Sequence, residues 1–196
     1  MLPTQPGQII LSATNEWIKA SCAVGFKMDK VKISIVWEPP CAHEFKINVD
    51  GVICNGRDEW IDGFSVNLGY GHILDAELWG LYFGVKYAID KGISQLIVEM
   101  DANVVVQPIQ QVHDPTCHPL GTLVSSCCDL MKRFDSCAIH HIYRENNRVA
   151  YGLANWSYNL ELGIFFFDVA PIWISSLLLD DMLGVASTRL VCVVSV

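Results

Sequence analysis

The sequence is short of charge. Asp, Glu, Lys and Arg make up 17% of its 196 residues, against about 25% in an average domain. It has no basic surplus either: 13 Lys and Arg stand against 21 Asp and Glu, a net charge of −8. That balance argues against a dedicated electrostatic nucleic-acid binder. Long apolar runs are missing. Toward the apolar C-terminal end the longest uncharged stretch, Val169 to Leu179, has 11 residues, about half of the ~20 that a membrane helix needs, so no membrane partner is expected. The opening residues MLPTQPGQII lack a positive segment ahead of an apolar core. The expectation is a protein that is not secreted, intracellular in the nucleus or cytoplasm. Despite eight cysteines there is no C-x-x-C pair, and free thiols are expected rather than a disulfide framework. The stretch HDPTCH, His113 to His118, has no second ligand cluster and reads as a polar loop rather than a zinc site. What is plentiful is apolar residues, 52%, which excludes intrinsic disorder. The length implies one domain with arms, with a monomer as the default.

Residues 1–43 read as an N-terminal arm or linker, with a short helical candidate at Asn15 to Ala23, an apolar alternation at Val31 to Trp37, and Pro39-Pro40 as a boundary. The domain is expected over residues 44–163. Phe45, Ile47 and Val49 alternate with Lys46, Asn48 and Asp50, which predicts a strand with one buried face. Trp60, Ile61, Phe64 and Val66 predict a second strand, Asn67-Leu68-Gly69 a turn, and the region near Tyr70 a shorter third strand. Asp75 to Lys91 predicts a helix stopped by Gly92. Leu96 to Asp101 is a nearly continuous apolar run, suited to a central strand covered on both faces. Helices follow from Ala102, where Pro108 should kink or end the first, and from Pro119 to Phe134; then comes a strand at Ala138 to Tyr143 and a helix at Arg148 to Leu160. The order predicts an α/β fold with a mixed central sheet flanked by helices. Residues 164–196 read as an apolar C-terminal tail. Trp79, Tyr82 and Phe83 fall at helical spacing and read as core rather than as a base-stacking platform.

Three acids stand out by placement: Asp50 ends the first strand, Glu77 lies in the first turn of the long helix, and Asp101 ends the apolar strand. Each has a structural explanation. Asp50-Gly51 suits a turn, Glu77 complements a helix N-terminus, and Asp101 can cap the next helix. Gathered at strand ends, where ligands bind in such sheets, they would instead supply oxygen ligands to Mg²⁺, and such ions in pairs activate water and stabilise the leaving oxygen of a phosphodiester.

The segments around these acids, FKINVDG (Phe45 to Gly51), AELWGL (Ala76 to Leu81), LIVEMD (Leu96 to Asp101) and YRENNRVAYGLAN (Tyr143 to Asn155), occur in an order that resembles the ribonuclease H-like domain common in plant proteins, the reverse-transcriptase-like type related to retroelements. The lead-in VWEPPCAHEFKINVDG and the tail FFFDVAPIWISSLLLDDMLGV extend the resemblance over Val36 to Val185. It implies a ribonuclease H-like fold with a five-stranded mixed sheet. It also implies a hydrolase, an endonuclease that cuts the RNA strand of RNA–DNA hybrids with two Mg²⁺ ions, Mn²⁺ substituting. By resemblance Asp50, Glu77 and Asp101 are both catalytic and metal-binding, and His141, ten residues before Tyr151, is a proton shuttle. Candidates for nucleic-acid phosphate contact are Lys132, Arg133, Arg144 and Arg148. Three departures bear on activity. Tyr151 stands where the family has its fourth carboxylate, and a phenol with an ordinary pKa of about 10 is a poor Mg²⁺ ligand. The chain runs from Asp50-Gly51 almost directly into VICNGRDEWIDGF, which predicts a shortened first hairpin. Pro108 falls inside the helix after Asp101. The alternative these departures raise is a catalytically inactive module, derived from a degraded retroelement, that binds nucleic acid or protein.

Overall fold

The computed structural model describes residues 27–49, 51–56, 59–110 and 120–195. Asp50, the helical candidate at Asn15 to Ala23 and the His113 to His118 stretch lie outside the described residues. Among those described, the strands are β1 (Lys27–Ile35), β2 (Phe45–Asn48), β3 (Val52–Asn55), β4 (Trp60–Asn67), β5 (Gln95–Met100), β6 (Ser136–His141), β7 (Gly163–Phe167) and β8 (Ser187–Ser195). The α-helices are α1 (Ile73–Asp90), α2 (Asn103–Gln110), α3 (Gly121–Met131), α4 (Arg148–Trp156) and α5 (Ser175–Met182). The chain divides into two compact units. The smaller holds the two-stranded pairing of β1 with β8. The larger, Ile35–Ser187, holds everything else.

The larger unit is built on a six-stranded sheet in the order β6-β5-β2-β3-β4-β7. Strands β2, β3 and β4 form an antiparallel meander. β5 joins β2 in parallel, β6 joins β5 in parallel, and β7 runs antiparallel to β4. This is the mixed α/β architecture expected. The first hairpin is short, with four residues in each strand, yet the meander is complete. Val52–Asn55, which shows no sequence signal of its own length, is its middle strand; Ile53 faces one core and Val52 and Cys54 the other. The strand expected near Tyr70 is absent, and Tyr70 is fully exposed in a bend. Pro108 sits inside α2 without ending it, and at the end of that helix the Gln110 amide donates to the Ile139 carbonyl of β6 at 2.8 Å.

Apolar layers cover both faces of the sheet. On one face Ile47, Ile53 and Phe64 meet Leu78, Leu81, Val85 and Ala88, the 3–4-spaced stripe of α1, with α2 and α3 completing the layer. On the other, Trp37, Val52 and Cys54 meet Val149, Ala150 and Leu153 of α4, and Ile174. The alternation in β2 therefore has no solvent face, unlike the expectation. Lys46 and Asn48 are buried and are satisfied internally: Lys46 Nζ pairs with Glu99 Oε1 at 2.7 Å, and Asn48 Nδ2 donates to Asn147 Oδ1 at 2.8 Å. Burial without such partners would be costly. Residues 164–187 of the segment read as a tail are built into the unit as well. β7 supplies a sixth strand where five were expected, with Phe166 stacked on Tyr87 at 4.3 Å, and Leu177 and Leu178 of α5 pack on the second core. Arg148 ties α4 to α5 through Asp180 and Asp181 at 3.0 and 3.1 Å. Among the described residues no helix is long and apolar enough to cross a membrane.

Candidate active-site cleft

The parallel pairing of β2 with β5 brings their carboxyl ends level: Asn48 is in register with Glu99, and the Val49 N–H donates to the Glu99 carbonyl at 3.1 Å. The next position on β5 is Met100, in register with His141 of β6, and Asp101 follows it. The start of α1 lies close over this edge. A Cβ at Gly80 would come within 3.2 Å of the Val49 side chain and carbonyl, so the missing side chain lets the helix approach. That approach carries Glu77, one turn earlier, to the strand ends.

The result is a cleft of about 270 Å³ lined by Val49, Glu77, Gly80, Asp101, Arg144 and Tyr151, with Asn67, Asn155, Ser157 and Tyr158 around it. Of the three acids singled out in the sequence, Glu77 and Asp101 share this cleft; Asp50 lies outside the described residues. The two are the cleft's carboxylates, hard oxygen donors of the kind Mg²⁺ takes. Among the described residues no group of three or more His, Cys, Asp or Glu is placed to hold a metal.

Arg144 is the cleft's cation. Its Nε donates to Asp101 Oδ2 at 2.9 Å, and the Asp101 side chain is 8% exposed against 65% for Arg144. The guanidinium also lies over the Tyr151 ring, 5.3 Å from its centroid. The anchoring of α4 positions both groups. Its first turn is held by the Asn48–Asn147 bond, and the Tyr151 N–H donates to the Asn147 carbonyl at 2.9 Å. Arg144 itself opens the 3-10 turn Arg144–Asn146 that links β6 to α4.

The remaining sequence candidates lie elsewhere. His141 is exposed at the end of β6, edge-on to Tyr143 at 5.8 Å, and is not among the cleft-lining residues. Lys132 pairs with Asp129 at 2.8 Å, Arg133 is exposed beyond α3, and Arg148 is engaged by Asp180 and Asp181. Arg144 alone of the four basic candidates lines the cleft. Its pairing with Asp101 spans 43 positions, and no spacing rule announces such a contact.

Over residues 47–157 the chain matches the family described as reverse transcriptase-like. It is 36% identical over 179 residues to an Arabidopsis thaliana protein described as a ribonuclease H protein; the match takes in 85% of this chain and 28% of that one. The chain thus spans a little over a quarter of the length of that relative. Among solved structures it is similar to ribonuclease H1 of the halophilic archaeon Halobacterium salinarum, with a TM-score of 0.54 and 19% identity over 59% of this chain and 98% of that one. A second similar structure is the N-terminal ribonuclease H domain of a Mycobacterium tuberculosis protein, solved as a fusion with maltose-binding protein. Its TM-score is 0.51 at 19% identity, over 68% of this chain and 95% of that one. At such identities the likeness establishes the ribonuclease H fold.

Proposed function

Since the chain belongs to the reverse transcriptase-like family of ribonuclease H-fold domains, we propose that it is a ribonuclease H-type endonuclease acting on the RNA strand of intracellular RNA–DNA hybrids, slowed by its altered acid set. The observation that carries this reading is that Glu77 and Asp101, far apart in sequence, line one cleft at the carboxyl edge of the sheet. Their carboxylates are hard oxygen donors suited to one Mg²⁺, or Mn²⁺ in its place, and Asp50, which follows Val49 in the sequence, is assigned as the third ligand on the resemblance alone. Such an ion supplies a water of lowered pKa and positive charge at the phosphodiester. The chain's own groups do the rest. Glu77 and Asp101 fix the anionic floor, and Arg144 offers a planar cation suited to phosphate. His141, exposed at the end of the strand beside that of Asp101, is assigned the proton-shuttle role on the resemblance alone. Lys132 and Arg133, both exposed, would add outlying contacts to the backbone of the duplex, whereas Arg148 is committed to Asp180 and Asp181.

The donor set does not fit a second ion on the Tyr151 side, where a phenol replaces a carboxylate and Asp101 is already paired with Arg144. That feature favours the second reading, a module that binds hybrid without cutting it. Purified protein is to be tested on a labelled RNA–DNA hybrid in Mg²⁺ and in Mn²⁺, beside Glu77→Gln, with binding followed by anisotropy across a salt series. Slow cleavage that disappears in Glu77→Gln is the expected result. Cleavage that survives that substitution refutes the assignment. Binding that weakens with salt, with no cleavage at all, establishes the second reading instead.

A further inference from the structure

We propose that Arg144 is the built-in second cation of this cleft, so that the site takes one divalent ion and excludes another. The inference deepens the reading above and rests on its assignment of a metal to Glu77 and Asp101. Three observations converge on it. Asp101 is a nearly buried carboxylate, and a buried charge requires a counter-charge with good hydrogen-bond geometry; the Arg144 Nε at 2.9 Å supplies both. The guanidinium is braced from below by the Tyr151 ring, a contact that favours a cation over a neutral group. Finally, the 3-10 turn carrying Arg144 is held between β6 and α4, whose start is fixed to β2 through the buried Asn48–Asn147 bond. A second divalent ion at this corner would meet a resident positive charge, a carboxylate oxygen already engaged, and a neutral phenol.

The test counts bound Mn²⁺ by the loss of the free aquo-ion signal in electron paramagnetic resonance, which does not depend on cleavage. The unmodified chain is expected to bind one ion. Arg144→Lys keeps a cation and is expected to bind one as well. Tyr151→Asp alone is also expected to bind one, because the new carboxylate gives the guanidinium a second anionic partner. Only the double variant, Arg144→Gln with Tyr151→Asp, gains a second ion. The Arg144 side chain is largely exposed and outside both cores, so the variants are expected to fold, although Arg144→Gln lowers stability by leaving Asp101 without its counter-charge; a cooperative unfolding transition checks this. Two ions in the unmodified chain or in Tyr151→Asp, or only one in the double variant, overturn the inference and leave the metal assignment standing. No bound ion in any variant overturns the metal assignment, and the inference with it.

Discussion

The pair formed by Lys46 and Glu99 in the middle of the sheet gives a prediction whose size follows from its burial. The two residues are 7% and 9% exposed, on the adjacent strands β2 and β5. Lys46 also donates to the Glu38 carbonyl and lies 4.8 Å from the Trp37 ring centroid. Burial raises the pKa of Glu99 above its ordinary 4.5, and Lys46 offsets this only in part. The folded protein therefore holds that proton more tightly than the unfolded chain does. An ionised Glu99 costs stability at pH above its folded value, and the cost is relieved as pH falls toward 4.5. Replacing Lys46 by Met strands this carboxylate. Breaking a buried pair on one side costs about 3–5 kcal/mol, a large share of the roughly 5–15 kcal/mol that holds a domain folded. For a unit of this size that is a fall in Tm of about 6–20 °C. Replacing both residues, Lys46→Met with Glu99→Leu, removes the stranded charge and is expected to be neutral or stabilising by about 1–4 kcal/mol. Urea unfolding of the three proteins across a pH series measures this, and the deficit of the single variant should narrow on acidification. Equal losses in the single and double variants, or a deficit independent of pH, would refute the reasoning.

Two further outcomes concern the backbone and the thiols. Gly51 has φ of +127°, and a Cβ there would lie 1.8 Å from the Phe64 carbonyl; Gly51→Ala is expected to cost about 3 kcal/mol or more, and an unchanged urea midpoint would show that the β2–β4 approach is wrongly described. The Cys127 thiol is buried and pushed up to about 12, whereas Cys41 is exposed. Iodoacetamide at mildly alkaline pH should modify Cys41 in the folded protein and Cys127 only after denaturation, as peptide mass spectrometry would show; matched rates would contradict the packing of α3 on α1.

The parts of this fold legible in the sequence are those where one period runs long enough to speak. The stripe of α1 and the apolar run of β5 announce themselves, and the position of Asp101 follows from where β5 ends, whereas α1 begins at Ile73 rather than Asp75, so that Asp75 and not Glu77 lies in its first turn. Val52–Asn55 is too short for any period, so its place as the middle strand emerges only from its pairing with β2 and β4. Lys46 and Asn48 misled for another reason. Alternation reports polarity, not exposure, and a polar face can be covered when Glu99 and Asn147 are waiting for it. β7 reads as a tail because three phenylalanines in a row carry no period of two; the free edge of β4 makes it a strand. The cleft was half legible. Its acids sit on recognisable segments, but the closure of Asp101 by Arg144 is a tertiary event that local pattern does not encode.

The persistence of α2 past Pro108 has a consequence for how the molecule meets its own copies. β6 forms one rim of the six-stranded sheet, and a bare rim is a template on which a foreign strand can add itself. Here the last residue of α2, Gln110, lays its amide on the carbonyl of Ile139, so an incoming strand must first displace a hydrogen bond already made. Had the proline ended its helix where it stands, that amide would not be delivered to the rim. By running on past its proline, the helix thus guards the open rim of the sheet at Ile139.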